Sequence, residues 1–252
     1  MNLRNILIGL EYNTYVKIDN EFRYEFYLRV AYISNYFSRE IRKYKFKTDG
    51  SYNTIAIDLI EPEIRVLNYT KIVPFNVLSV EIPFNRSIYN EQKNNCNYYL
   101  NFFKEGFIKA SKFKPIPLEF LLDLIKKFRN KNCLNLWIHK KRKSKKDNLE
   151  IILTCNFTSE YFQLIITIYK LSTNEKLLSE IILQTEPDPV LFEGMFNDVM
   201  IKNDSIIITD KTGCSRIIIN KNNALKGILK CEIIGDKEIK KILTFGLNNP
   251  CA

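Results

Sequence analysis

The strongest constraint on the fold is a change of hydrophobic period part-way along the chain. Up to about residue 130 stretches in which apolar side chains recur every three or four positions, lining one face of a helix, are mixed with alternating ones; from Cys133 onward most stretches alternate, as in half-buried strands. The longest helical stripe is Phe22, Phe26, Val30, Ile33, Phe37 and Ile41, with Asp19 before it as an N-cap. Phe22, Tyr24, Phe26, Leu28, Val30 and Tyr32 also alternate, but the stripe runs on past the usual length of a strand and favours the helix. A second helix is predicted over 88–110 from Cys96, Tyr99, Leu100, Phe103 and Phe107. Lys114 to Pro117 breaks it, and Leu118, Leu121, Leu122, Ile125 and Phe128 mark a third, with Pro117 in its first turn.

The remaining elements read as strands. Residues 3–11 and 14–18 suggest a short strand pair, 43–48 and 51–59 a hairpin about Asp49-Gly50, and Val77 to Pro83 a further strand. In the second half, 133–139 and 149–157 bracket a run of cations as a hairpin with an exposed tip. Strands over 161–169, 177–183, 205–209 and 216–220 follow, with short helices over 190–196 and 236–245. The expected class is α+β: a mixed N-terminal part, 1–130, with helices packed on a sheet, then a mostly antiparallel β part, 131–252. Without a repeat or a linker, this boundary is a change of texture that also suits one domain.

The 252 residues, 46% of them apolar, suffice for a sizeable core. No apolar run approaches the roughly 20 residues that span a bilayer, and the run at the N-terminus stops at Glu11 without a small-residue cleavage site. Six cysteines lie scattered without a close pair, so reduced thiols and a cytoplasmic location are expected.

Lys and Arg outnumber Asp and Glu by 38 to 28, a net charge of +10. Lys140, Lys141, Arg142, Lys143, Lys145 and Lys146 form one cluster; Arg39, Arg42, Lys43, Lys45 and Lys47 form another. Such clusters attract acidic proteins, nucleic acid or anionic surfaces, although most charge runs are simply solvated. Tyr44 and Phe46 alternate with lysines, a pattern for base stacking or for a strand with its aromatic face on the core.

The inventory excludes much chemistry. His139 is the single histidine, which rules out two-histidine metal sites and histidine relays, and it adjoins cations on the expected tip, where no base is needed. Trp137, two residues earlier, reads as a core anchor. No zinc, nucleophile-elbow or phosphate-loop motif occurs. A carboxylate–lysine nuclease needs no histidine, and Asp188 with Glu238 and Lys240 offers those residue types at long spacing; Asp188 reads equally as a turn former between prolines. Asp58 and Glu81 fall on strands that can neighbour one another, yet spacing assigns them to no metal. No cofactor or metal is expected.

Phe22 to Thr48, an aromatic helix running into a basic segment, followed by Val77 to Phe84, resembles the opening of bacterial immunity proteins encoded beside polymorphic or contact-dependent toxins. The resemblance implies a noncatalytic protein that neutralises one cognate toxin by stoichiometric binding. Because the chain is basic, it implies a toxin with an acidic surface. The candidate partner-binding residues are Lys140, Lys141, Arg142, Lys143, Arg42, Lys43 and Lys45. The alternative is a nucleic-acid-binding module, possibly a divalent-metal nuclease.

Overall fold

Residues 1–67 and 70–247 are described by a computed structural model. The chain is α+β and divides into two units, Met1–Leu134 and Asn135–Ala252. In the first unit, β1 (Asn5–Leu10), β2 (Thr54–Ile60) and β4 (Val77–Pro83) run parallel, and β3 (Lys71–Val73) pairs antiparallel with β4, in the order β1-β2-β4-β3.

Helix α2 (Asn20–Tyr44) is the expected amphipathic helix. Asp19 accepts the Phe22 N–H at 3.1 Å, and the whole stripe from Phe22 to Ile41 is buried. The helix also closes an exposed sheet edge. Ser38 Oγ accepts from Ile6 N at 2.9 Å and donates to Ile6 O at 3.1 Å, while Ser34 Oγ accepts from Ile8 N at 3.3 Å. Two hydroxyls thus stand where a neighbouring strand's peptide groups would otherwise be.

Three local expectations in this unit are corrected. Residues 14–18 belong to helix α1 (Tyr12–Ile18) because Glu11 caps it, accepting the Asn13 and Thr14 N–H groups at 3.2 and 2.8 Å. The Asp49-Gly50 hairpin does not form. Residues 43–44 complete α2, Lys45 ends it in the left-handed region, and Asp49-Gly50 turns the chain into β2, whose partners are β1 and β4. Tyr44 is therefore on an exposed helix end, stacked on Phe120 at 4.0 Å. The helix over 88–110 is two, α3 (Arg86–Gln92) and α4 (Cys96–Ser111), because Asn95 caps α4 by accepting the Asn97 N–H at 3.0 Å.

Helix α5 (Leu118–Asn130) follows with Pro117 at its N-cap. The helices share an aromatic core, with Tyr36 stacked on Phe128 at 4.3 Å and Phe37 beside Phe103 at 4.7 Å. Gly106 lets α4 approach the sheet, since a Cβ there would stand 2.7 Å from the Ile57 side chain. In-register neighbours share a face in a parallel pair, so Ile6, Ile8, Leu10, Ile55, Ile57 and Leu59 all face this helical layer.

The second unit contains two antiparallel meanders. The first is β5 (Asn135–Ser144), β6 (Leu149–Phe157), β7 (Phe162–Lys170) and β8 (Glu175–Thr185). The second is β9 (Asp198–Lys202), β10 (Ser205–Thr209), β11 (Ser215–Asn220) and β12 (Cys231–Ile233). Helix α6 (Pro189–Phe192), α7 (Lys221–Ala224) and α8 (Lys237–Leu243) connect or follow them. Phe192 and Phe196 stack on Phe162 of β7 at 3.7 and 5.6 Å. The basic run is not a loose tip: Lys140 to Lys143 lie within β5, paired with Leu153 to Glu150 of β6, and the turn begins only after Ser144.

Cys96 and Cys133 form a disulfide, which corrects the expectation of reduced thiols throughout. They lie 37 residues apart, and only the packing of α4 against α5 brings their Cα atoms to 6.5 Å. Closing a loop of that length removes freedom from the unfolded chain. Replacing both cysteines by serine should lower the unfolding free energy by about 2–4 kcal/mol in urea titrations. An unchanged midpoint would show that helix packing alone holds this pair.

Candidate functional site

Helices cover one face of the N-terminal sheet; the opposite face forms the floor of a cleft of about 760 Å3. Register places Gly9, Asp58 and Glu81 in one row of that face, and Ala56, Ser79 and Lys71 in the next. The start of α1 and the β3–β4 turn supply walls, with Tyr12 at one end and Phe75 at the other. Phe75 is 93% exposed and sits in the left-handed region, φ 66°, so the turn holds an apolar ring in solvent. The cleft opens partly at the carboxyl ends of parallel strands, where loops of an open α/β sheet diverge.

The sheet does bring Asp58 and Glu81 together, but their environments differ. Glu81 is held by a two-point contact with Arg65, at 2.6 and 3.3 Å, and Arg65 also lies 3.9 Å from Glu11. Glu11 is occupied in capping α1. Asp58 accepts a 2.6 Å hydrogen bond from the neutral Ser79 hydroxyl. Burial raises its carboxyl to about 6, and Glu11 and Glu81 add to the rise, against the Ser79 bond and the Lys71 charge. Among the described residues, no three His, Cys, Asp or Glu side chains converge to hold a metal.

The C-terminal sheet presents a different surface. A bulge between Ile138 and Lys140 resets the alternation of β5. Leu136, Ile138, Lys141 and Lys143 consequently share the outer face, opposite Asn156, Thr154, Ile152 and Glu150. Leu136 and Ile138 are 56% and 60% exposed. Ile152, Ile165 and Ile181 continue the apolar surface across β6, β7 and β8, each half-buried.

Of the basic residues singled out in the sequence, Lys141 and Lys143 share Glu150, at 3.2 and 3.1 Å. Burial would raise the Glu150 carboxyl, but the hydrogen bonds from Lys143 and Lys141 outweigh it and hold it below its ordinary value. Lys140 faces the other way and pairs with Asp198 at 3.0 Å, while Arg142 is exposed on the strand. Arg42, Lys43 and Lys45 belong to the end of α2: Arg42 donates to Ser38 O at 3.0 Å, Lys43 pairs with Glu40 at 2.7 Å, and Lys45 is the C-cap. Cations at that position complement the helix dipole. The two clusters lie in separate units.

His139 is the bulged residue, half-buried and packed edge-on against Phe196 at 4.8 Å, which corrects its placement on an exposed tip. Burial, then Lys140 and Lys211, keep its imidazole below the ordinary value against a hydrogen bond at the Asn197 backbone. Trp137 packs beside Phe162, 6.2 Å between centroids. Asp188 caps α6, accepting the Val190 N–H at 3.0 Å, and Glu238 and Lys240 lie on α8. No known family, curated protein or solved structure matches the chain.

In the sequence Leu136 and Ile138 are ordinary strand residues; their outward face depends on strand partners and on the bulge, which no local pattern encodes. The cleft was half-visible in Asp58 and Glu81, but Lys71 and Ser79 carry no motif. Because the folded state raises the Asp58 carboxyl above its unfolded value near 3.9, the neutral form favours folding and the charged form opposes it. The penalty should grow between about pH 4 and 6 and be complete above the folded value. Asp58→Asn should therefore stabilise the fold at pH 7.5 by about 1–3 kcal/mol and leave it nearly unchanged near pH 3.5. Equal effects at both pH values in urea titrations would contradict this.

Proposed function

We propose that the protein is a noncatalytic protein-binding protein, an immunity factor that neutralises a cognate toxin with an acidic surface by one-to-one binding. The observation that carries this reading is the outer face of β5, on which exposed Leu136 and Ile138 stand in line with Lys141 and Lys143. An apolar centre beside a charged rim is the anatomy of a protein interface: desolvated side chains supply affinity, and rim charges speed encounter and select the partner. Two lysines sharing one carboxylate leave a net positive charge on that rim.

The same geometry speaks for a protein partner over nucleic acid. The aromatic–lysine alternation at Tyr44 to Lys47 is no strand surface for stacked bases, because Tyr44 and Lys45 end a helix. Location is part of the same reading. An immunity factor meets a delivered toxin in the cytoplasm, whereas structural disulfides persist in oxidising compartments, so the thiol state of Cys96 and Cys133 in intact cells decides it.

The test is calorimetric titration for affinity and stoichiometry, and surface plasmon resonance for rates, with the purified product of the neighbouring reading frame. One-to-one binding should weaken at least a hundredfold in the Leu136→Asp, Ile138→Asp double variant. Lys141→Ser with Lys143→Ser should slow association several-fold with little change in dissociation, an effect screened by salt. Absence of a protein complex, together with salt-steep binding of DNA or RNA lost in the lysine variant, would replace this reading with a nucleic-acid module.

A further inference from the structure

The cleft belongs to the N-terminal unit and has a charge pattern of its own. Its floor is kept low by two small residues, Ala56 and Ser79, which stand side by side in the row next to Asp58. An exposed sheet face ordinarily carries long polar side chains, so small residues around one carboxylate leave space for something else.

Two of the three acids here are already committed, Glu81 to Arg65 and Glu11 to the α1 cap. Asp58 has only the Ser79 hydroxyl as a hydrogen-bond partner among the described residues. Lys71, half-buried on β3 and on the same face of the sheet, forms no ion pair with it within 4.0 Å among those residues. They lie two strands and one row apart, about 12 Å between Cα atoms from ordinary sheet spacings. A carboxylate and an ammonium of opposite charge thus flank the floor without meeting. A ligand that carries an ammonium and a carboxylate a few ångströms apart satisfies both at once, while a simple cation or anion satisfies one and faces the other's like charge.

We propose that this cleft binds a free amino acid with an apolar side chain, its ammonium group on Asp58 and its carboxylate on Lys71. The rest of the cleft suits the side chain, because the floor continues past Ala56 to Val73 and Val77 and ends at the exposed Phe75 ring. The volume of about 760 Å3 lies within the range of small-molecule sites. Binding follows the charge of Asp58, which has Glu11 and Glu81 as like charges around the cleft and Lys71, Arg65 and, from α1, Lys17 as opposite ones.

The test uses the full chain and the twenty L-amino acids singly, first by thermal shift and then by calorimetry at pH 7.5. One or more apolar amino acids, L-leucine and L-phenylalanine foremost, should bind one to one. The N-acetyl and carboxamide derivatives of the best of them, each lacking one charge, should bind at least tenfold more weakly. Asp58→Asn should abolish binding while remaining folded by circular dichroism, and Lys71→Met should weaken it at least tenfold. Ala56→Leu, which fills the floor and leaves every charge, should also abolish it. Below about pH 6 affinity should fall about tenfold per unit as Asp58 takes up its proton. No binding by any amino acid at 10 mM (about ten times a weak millimolar Kd), full affinity of Asp58→Asn, or equal binding of the N-acetyl derivative would each overturn the assignment. None of these outcomes bears on toxin binding, which uses the other unit.

Discussion

The hydroxyls of Ser34 and Ser38 on the edge of β1 are the contact on which the N-terminal unit depends. An edge strand exposes a row of peptide donors and acceptors that must be paired, hydrated or blocked. Here a helix blocks them while the same helix buries the stripe from Phe22 to Ile41. Because α2 is tied to that edge, α4 can lie against Ile57 through Gly106, and the aromatic core fills one side of the sheet. The other side carries no such core and opens as the cleft. The cleft around Asp58 is thus a consequence of how the core is satisfied, and the small residues on its floor preserve it.

In the C-terminal unit the corresponding constraint is the bulge at His139. Strict alternation from Leu136 would put Lys140 and Arg142 on the outer face and Lys141 and Lys143 toward the core. One extra residue reverses this, so that Lys141 and Lys143 reach Glu150 on the surface and Lys140 reaches Asp198. The half-burial of His139 against Phe196 anchors the irregularity. A single bulge therefore determines which cations border the exposed Leu136 and Ile138.

Much of the architecture was legible in the chain. Helix α2, strand β4, helix α5 and the long antiparallel run from β5 to β8 follow the expected periodicities, because each buries one regular face over many residues. The misreadings share a physical cause: a single polar side chain outweighed a short apolar pattern. Glu11 and Asn95 start helices by accepting backbone N–H groups, and Asp49-Gly50 forms a turn whose flanks have better partners elsewhere. The disulfide and the Asp58–Lys71 arrangement join residues through tertiary register, which no local spacing encodes. Arg42, Lys43 and Lys45, a basic run in the sequence, lie at the C-terminal end of α2, where Lys45 is the C-cap and the cations complement the helix dipole.

The central claim is that an apolar and basic sheet face, and not the cleft or the end of α2, receives a protein partner. Hydroxyl-radical footprinting of the protein alone and with the product of the neighbouring reading frame measures this at the level of side chains. The account predicts that Leu136, Ile138 and Ile152 lose reactivity in the complex while Tyr44 and Phe75 keep it. Unchanged labelling of the β5 to β8 face, with protection at Tyr44 or Phe75 instead, would contradict it.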